Sequence, residues 1–378
     1  MNFELNAEQA ALADSLSRLL ADRYTFERRR ALVAAGQRHD PATWRGLAEL
    51  GLTALPVPEA HGGFGGGARD LLPVMQAMGA ALVLEPFLAS AVLGTAIVCH
   101  GADQAMQARL LPGLASGERI VTWAHDEPEG RHAPVWIETR AEQRDGRWVL
   151  SGIKSPVLAA DLAHHIVVTT RVAGRPDQVD GCALFLLEPG SEGVDLRSYT
   201  LVDDTAAGEL RLQSAVAEPL HDPADGALAR RAISLAQARG IAAACADMVG
   251  AAQAAFDLTM TYLRTRRQFG RLIGENQALR HRAADMLVSL EMARSMAIAA
   301  AVAADDPQGE EAVADLHRAK LSVARHTRLV AHGAIQLHGG IGMTEEYAVG
   351  HSLRRIHVLD QLLGDADAHL GRLAAALS

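Results

Sequence analysis

Along the first stretch of the chain, apolar residues recur at helical intervals. Leu12, Leu16, Leu19 and Leu20 fall on one face, and Asn6 with Gln9 three residues later forms a reciprocal cap, so an amphipathic first helix is predicted. Helical segments continue, interrupted by the glycine-rich loop His61–Gly67, until Leu111-Pro112-Gly113 and Gly117 punctuate the chain. Between Arg119 and about Pro219 the texture changes to short β-branched or alternating runs: Trp148–Leu150, Ile166–Thr169 and Ala183–Leu187. Asp145-Gly146 before Trp148 is a hairpin signal, and Glu209-Leu210-Arg211-Leu212 alternates like a strand with one solvated face. No helical crossover separates these strands, which predicts an antiparallel sheet.

From Ala227 the helical period returns, first through Phe269, then over about Glu275–Ala304 and Glu310–His338, then in two shorter helices to Leu377. This last stretch resembles a four-helix bundle with extensions. The expectation is a mainly α protein with a central β-domain: a helical domain over 1–117, a β-domain over 118–225 and a helical bundle over 226–378. Gly240 and Gly250 in the first bundle helix permit close backbone approach.

Composition narrows the function classes. Of 378 residues 49% are apolar and only 4% aromatic, which favours close-packed helices. A net charge of −9 removes the electrostatic reason to bind nucleic acid. Cys99, Cys182 and Cys245 form no C-x-x-C pair, so neither a disulfide framework nor a cysteine zinc site is indicated, and a reducing cytoplasm is expected. Glu4, Glu8 and Asp14 stand where a transit peptide avoids acids. Apolar runs such as Ala297–Ala304 stop well short of the roughly 20 residues of a membrane span, so none is expected.

Two signatures sit where bundle helices are expected to end: Tyr262-Leu263-Arg264-Thr265-Arg266-Arg267-Gln268-Phe269-Gly270 and Gln336-Leu337-His338-Gly339-Gly340-Ile341-Gly342-Met343-Thr344. Gly270 is placed for a left-handed cap, and an arginine beside it offers a forked donor to a pyrophosphate. Gly339 and Gly340 leave the backbone open to an anion or a dinucleotide linker. Taken singly, the first reads as a solvated helix end and the second as a turn. Together, with Glu346-Tyr347 following, they resemble the R-x-Q-F-G and Q-x-x-G-G-x-G signatures of the acyl-CoA dehydrogenase family. The resemblance extends to Pro58-Glu59-Ala60-His61-Gly62-Gly63, Leu111–Glu118 and Asp145–Lys154. Within the family, Gln336–Thr344, Gly350-His351 and Leu363–His369 are most similar to the small subunit of pimeloyl-CoA dehydrogenase and related bacterial heteromeric enzymes.

This resemblance implies FAD as cofactor, an acyl-CoA substrate dehydrogenated between its α and β carbons, and an electron-transfer flavoprotein as acceptor. It implies that Arg266, Gln268, Phe269, Gln336, Gly339 and Gly340 contact FAD across a subunit interface, and hence an oligomer.

Other positions depart from the family. In its register the catalytic glutamate falls at Leu363, and the alternative glutamate site at Gly240; neither can accept a proton. The flavin-facing T-E-P loop stands as Asp126-Glu127-Pro128, and the W-I-T-N strand end as Pro156–Ala159. Retained adenylate motifs beside a lost base suggest a heteromer with a large-subunit homologue, or else a self-oligomer in which Asp365 is a relocated base. The other reading of Asp365 is an acid at the start of the last helix. In order, the functions left open are a catalytic dehydrogenase, a non-catalytic subunit completing a partner's flavin site, and a base-less flavin monooxygenase. His164, His165, His317, His326, His332, His351 and His357 have no metal-ligand spacing; Met286, Met292 and Met296 read as helix packing; Arg28–Arg30 and Glu345 read as solvated.

Overall fold

The computed structural model describes residues 6–133, 135–178, 180–307 and 309–376; Glu4 and Leu377 lie outside these ranges. Helix α1 (Ala7–Arg23) begins as expected: the Asn6 side chain accepts from the Gln9 N–H, and the Gln9 side chain accepts from the Asn6 N–H. Helices α2 (Phe26–Ala34), α3 (Pro41–Glu49) and α4 (Ala68–Ala81) follow, then a π-helical stretch (Phe87–Gly94) running into α5 (Thr95–Gly101), then α6 (Gln104–Ala115). The predicted break at Pro112 is absent. Helix α6 passes through it, with the Ser116 N–H bonded to the Pro112 carbonyl, and stops before Gly117 at φ 72°. Proline removes a donor but keeps its acceptor, so one helical turn can still close after it.

Among the described residues the β-domain is one seven-stranded sheet of β1 (Val121–Ala124), β2 (Arg140–Arg144), β3 (Arg147–Leu158), β4 (His165–Arg171), β5 (Cys182–Leu187), β6 (Val194–Thr200) and β7 (Ala206–Pro219). Its pairings close into a circuit through β4, β2, β3, β7 and β5, with β6 on β7. Most pairs are antiparallel, but β1 and β4 are parallel, from Val121 opposite His165 to Ala124 opposite Val168, and β2 meets β4 through one parallel pair. The β2–β3 hairpin lies between β1 and β4 in sequence and serves as the long crossover that a helix provides elsewhere, which corrects the all-antiparallel expectation. That hairpin turns at Asp145 and Gly146, both at positive φ, as a two-residue type I′ turn requires. Leu150, Val157, Ile166, Val168, Phe185 and Leu210 fill its core.

The C-terminal helical domain comprises α7 (Gly226–Thr265), a small hairpin of β8 (Arg267–Gln268) and β9 (Arg271–Leu272), α8 (Gln277–Asp305), α9 (Glu310–His338), a 3₁₀ turn (Gly339–Met343), α10 (Ala348–Gln361) and α11 (Ala366–Ala375). The chain thus runs from helical to β to helical, as the periodicity implies.

Spatially it divides into two compact units, one of Met1–Ala31, Ala68–Val83 and Ile241–Ser378, the other of Leu32–Gly67 and Leu84–Gly240. In the first unit α4 crosses α7 through glycines: a Cβ on Gly79 would collide with the Asp247 carbonyl, and one on Gly250 with the Gln76 carbonyl. Helices α7 and α8 are both long and apolar enough to cross a membrane by composition, yet the most apolar stretch of α7 is 78% buried within the protein. That of α8 is only 39% buried, and Leu287, Val288 and Met292 are exposed on it. Met286 packs inside as expected; Met292 does not.

Candidate functional site

The first signature does not end a helix at Gly270, as its composition suggests. Helix α7 stops at Thr265, and Arg267-Gln268 pairs with Arg271-Leu272 around a two-residue turn, Phe269-Gly270, with φ 53° and 81°. Both central residues of a type I′ turn need positive φ, so Gly270 is the second turn residue and Phe269 occupies a left-handed conformation that a bulky residue seldom takes. Phe269 is fully exposed. Among the described residues, neither the Arg266 guanidinium nor the Gln268 amide has a hydrogen-bond partner within the chain, and both are exposed. Beside this hairpin an apolar recess of about 420 Å³ opens between α7 and α8, lined by Phe256, Met260, Leu263, Leu272 and Leu287 among others.

The second signature does end a helix. Gly339 closes α9 at φ 65° and ψ −142°, a combination essentially reserved for glycine. Gly340 has open space where a Cβ would stand, and Gln336, Gly339 and Gly340 are all exposed. His338 joins this turn to the hairpin end of α7. Its ring stacks on Tyr262 at 4.5 Å, and its Nε2 lies 3.2 Å from the Tyr347 hydroxyl. The structure therefore brings the two signatures together, through a histidine that the motif reading passed over. Arg29 also belongs to this region. Far from being solvated, it is buried, donating to the Leu82 carbonyl at 2.8 Å and lying 3.3 Å from His351 Nδ1, while His351 Nε2 donates to the Glu345 carbonyl. The Glu345 carboxylate is exposed, as expected, and pairs with Arg354 at 2.9 Å.

Position 363 lies on a loop whose carbonyls are held from below. Lys320, on α9 and fully buried, donates to the carbonyls of Asp360, Leu362 and Gly364 at 2.8, 2.9 and 2.7 Å. Three N–H groups meet three acceptors, so the ammonium is satisfied without a carboxylate. Burial nevertheless pulls its pKa down to about 8. His369 Nε2 lies 3.2 Å from the carbonyl between them, that of Leu363, and His369 Nδ1 lies 2.9 Å from His317 Nδ1. A neutral ring donating from Nε2 must accept at Nδ1, so the proton on that bond belongs to His317. Burial drives both rings toward the neutral form, His317 to about 4 and His369 to about 2. Leu363 itself sits at φ 61°. Asp365 caps α11, its carboxylate accepting the Ala368 N–H at 2.8 Å.

In the other unit, the altered Asp126-Glu127-Pro128 segment is anchored by a buried pair. Glu127 meets Lys154 at 2.7 Å and accepts from the Thr139 hydroxyl and N–H at 2.6 and 2.9 Å. Burial raises the Glu127 pKa, but Lys154 and these donors outweigh it and hold the carboxyl below its usual range. Lys154 also donates to the His125 carbonyl at 3.0 Å. Among the described residues no group of three histidine, cysteine or acidic side chains is arranged to hold a metal ion.

Comparison with known proteins agrees with this architecture. The family model for the acyl-CoA dehydrogenase C-terminal domain matches residues 229–378, and that for the N-terminal domain matches residues 6–118. Acyl-CoA dehydrogenase IpdE2 of Mycobacterium tuberculosis (strain ATCC 25618 / H37Rv) is 29% identical over 97% of this chain and 96% of its own. A solved variant of the Tcur3481-Tcur3483 steroid ACAD is 29% identical with a TM-score of 0.86, covering 98% of this chain and 97% of its own. Butyryl-CoA dehydrogenase from Megasphaera elsdenii, at 21% identity, shares the fold with a TM-score of 0.89 over 100% of both chains. The chain belongs to the acyl-CoA dehydrogenase family of oxidoreductases.

Proposed function

We propose that this chain is the small subunit of a two-subunit, FAD-dependent acyl-CoA dehydrogenase, and that its hairpin and glycine turn complete the adenylate side of a dinucleotide site shared with a large-subunit homologue. The observation that carries this reading is Phe269, an aromatic ring held at positive φ and wholly outside its own chain. Left-handed backbone costs a non-glycine residue about 1 kcal/mol or more, and such strain marks places where a side chain is presented to something else. The groups around it fit a dinucleotide. Arg266 can fork onto pyrophosphate oxygens, Gln268 and Gln336 offer amide hydrogen bonds, and Gly339-Gly340 lets a ligand approach the backbone. Bound FAD would supply the hydride acceptor.

In the reaction a proton leaves the α carbon and a hydride leaves the β carbon, so a double bond forms. The proton needs a carboxylate, and Leu363 supplies none. The base therefore comes from the partner's site, and the named pair Tcur3481-Tcur3483 is a precedent for two chains in one such enzyme. A second assignment, in which Asp365, two residues beyond Leu363, takes the proton within this chain, requires the pinned loop to shift and Asp365 to leave its cap on the Ala368 N–H. Turnover preserved in Asp365→Asn removes that assignment. The resemblance to the pimeloyl-CoA enzyme points to a dicarboxylyl thioester and the steroid ACAD relative to a steroid side chain, with an electron-transfer flavoprotein as acceptor in either case.

The test is flavin stoichiometry and dye-coupled acyl-CoA turnover, measured on the chain alone and after co-expression with a candidate large subunit. Flavin and turnover gained only with the partner are expected; full FAD loading and turnover by a homo-oligomer overturn the heteromer. Released FMN in place of FAD indicates a monooxygenase instead.

A further inference from the structure

We propose that His338 is a positioning residue that sets the spacing of the two dinucleotide-binding segments, by stacking on Tyr262 from one and accepting a hydrogen bond from Tyr347 behind the other. The inference rests on the FAD reading above and adds to it a residue outside the ligand-contacting set.

The geometry fixes the state of the ring. His338 Nδ1 lies 2.8 Å from the Ala334 carbonyl, an acceptor with no proton to give, so the N–H is on Nδ1. Nε2 is then a lone pair, and the Tyr347 hydroxyl 3.2 Å away is its donor. Tyr262 covers the ring at an interplanar angle of 29° and Tyr347 flanks it at 51°. One neutral imidazole, 4% exposed, thereby contacts the end of α7, the end of α9 and the segment entering α10. Tyr262 lies four residues before Arg266, and His338 directly precedes Gly339. A shift of this ring moves both segments, because each is attached to it within one helical turn.

The groups facing the ring are Tyr262 from α7, Tyr347 from the approach to α10, and the Ala334 carbonyl from α9 itself. None is a carboxylate that would welcome a second proton. Burial lowers the His338 pKa, with the Ala334 carbonyl opposing. A proton on Nε2 removes the acceptor for Tyr347, so the joint loosens as pH falls below the ordinary histidine range.

The experiment measures FAD affinity by quenching of flavin fluorescence between pH 5 and 8. It uses the full chain in whichever assembly loads flavin, as wild type, Tyr347→Phe, His338→Phe and His338→Ala. Thermal melting without FAD is followed in parallel. Removing one buried neutral hydrogen bond is expected to weaken FAD binding about five- to tenfold in Tyr347→Phe. His338→Phe, which keeps the stack, should weaken it similarly and flatten the acid limb of the pH profile, and His338→Ala should weaken it further. Variants that melt lower but bind FAD with wild-type affinity and pH dependence make His338 merely structural and overturn the inference. Wild type that binds no FAD, alone or with a partner, overturns the functional reading and this inference together.

Discussion

Two parts of the C-terminal helical domain treat their polar groups in opposite ways. In the loop over 360–364, Lys320 and His369 reach four carbonyls, and the donors are themselves buried. On the hairpin and glycine turn, Arg266, Gln268, Phe269 and Gln336 face outward, and only the joint behind them, Tyr262–His338–Tyr347, is closed within the chain. The loop's carbonyls are satisfied as it stands, whereas the face leaves its side chains open to solvent. The geometry of the loop is therefore kept by buried groups of this chain, independently of the side chain that stands at position 363.

The contrast is broken most directly by Lys320→Met. Three buried carbonyls lose their donor at once, and the loss is expected to be about 3–5 kcal/mol of folding free energy, read from the midpoint of chemical denaturation. A near-neutral result would mean that the loop is not held from below.

The next effect is a pH dependence. The His369 pKa is lowered in the folded state, to about 2, so the unfolded chain takes the proton first, near pH 6.5. Its contribution to stability is full above pH 6.5 and is lost as pH falls from there toward 2. At pH 5 the deficit is about 2 kcal/mol, and His369→Asn should lower stability at pH 7 yet lose less of it on acidification. Parallel stability–pH curves for the two proteins would contradict the neutral-ring geometry.

The smallest effect belongs to the outward face. Phe269→Ala should change the stability of the chain alone by no more than about 0.5 kcal/mol, as for an exposed residue. It should nonetheless weaken flavin retention in the assembled enzyme. A large loss of stability in the isolated chain would show that Phe269 serves its own core, and the distinction drawn above would fail.

Much of the architecture is legible in the sequence because local signals agree with tertiary packing. The Asn6–Gln9 cap, the Asp145-Gly146 turn and the Glu310–His338 helix all lie where pattern and turn chemistry place them. The parallel β1–β4 pair is not legible, since strand order depends on partners some forty residues apart. Phe269-Gly270 reads as a helix end until Arg267-Gln268 and Arg271-Leu272 are seen to pair, because two-residue strands leave almost no alternation to detect.

Lys320 and Arg29 show the same limit from the other side. A basic residue on a helix is ordinarily solvated, and what buries these two is carbonyls supplied by distant segments: Asp360, Leu362 and Gly364 for one, Leu82 for the other. His338 lay in plain view within its motif. Only the positions of Tyr262 and Tyr347 reveal what its ring does.

The crossing of α4 and α7 carries a consequence for reading natural variation. Because Gly79 and Gly250 each face a carbonyl of the other helix, no side chain fits at either position while the helices keep this separation. A chain with alanine at one of them must have spread the pair, and the spread would pass along α7 toward Thr265, where the hairpin begins. These two positions, both at the helix crossing, therefore serve as a marker: where both are glycine, the helix spacing found here can be inherited, and where either is not, it cannot.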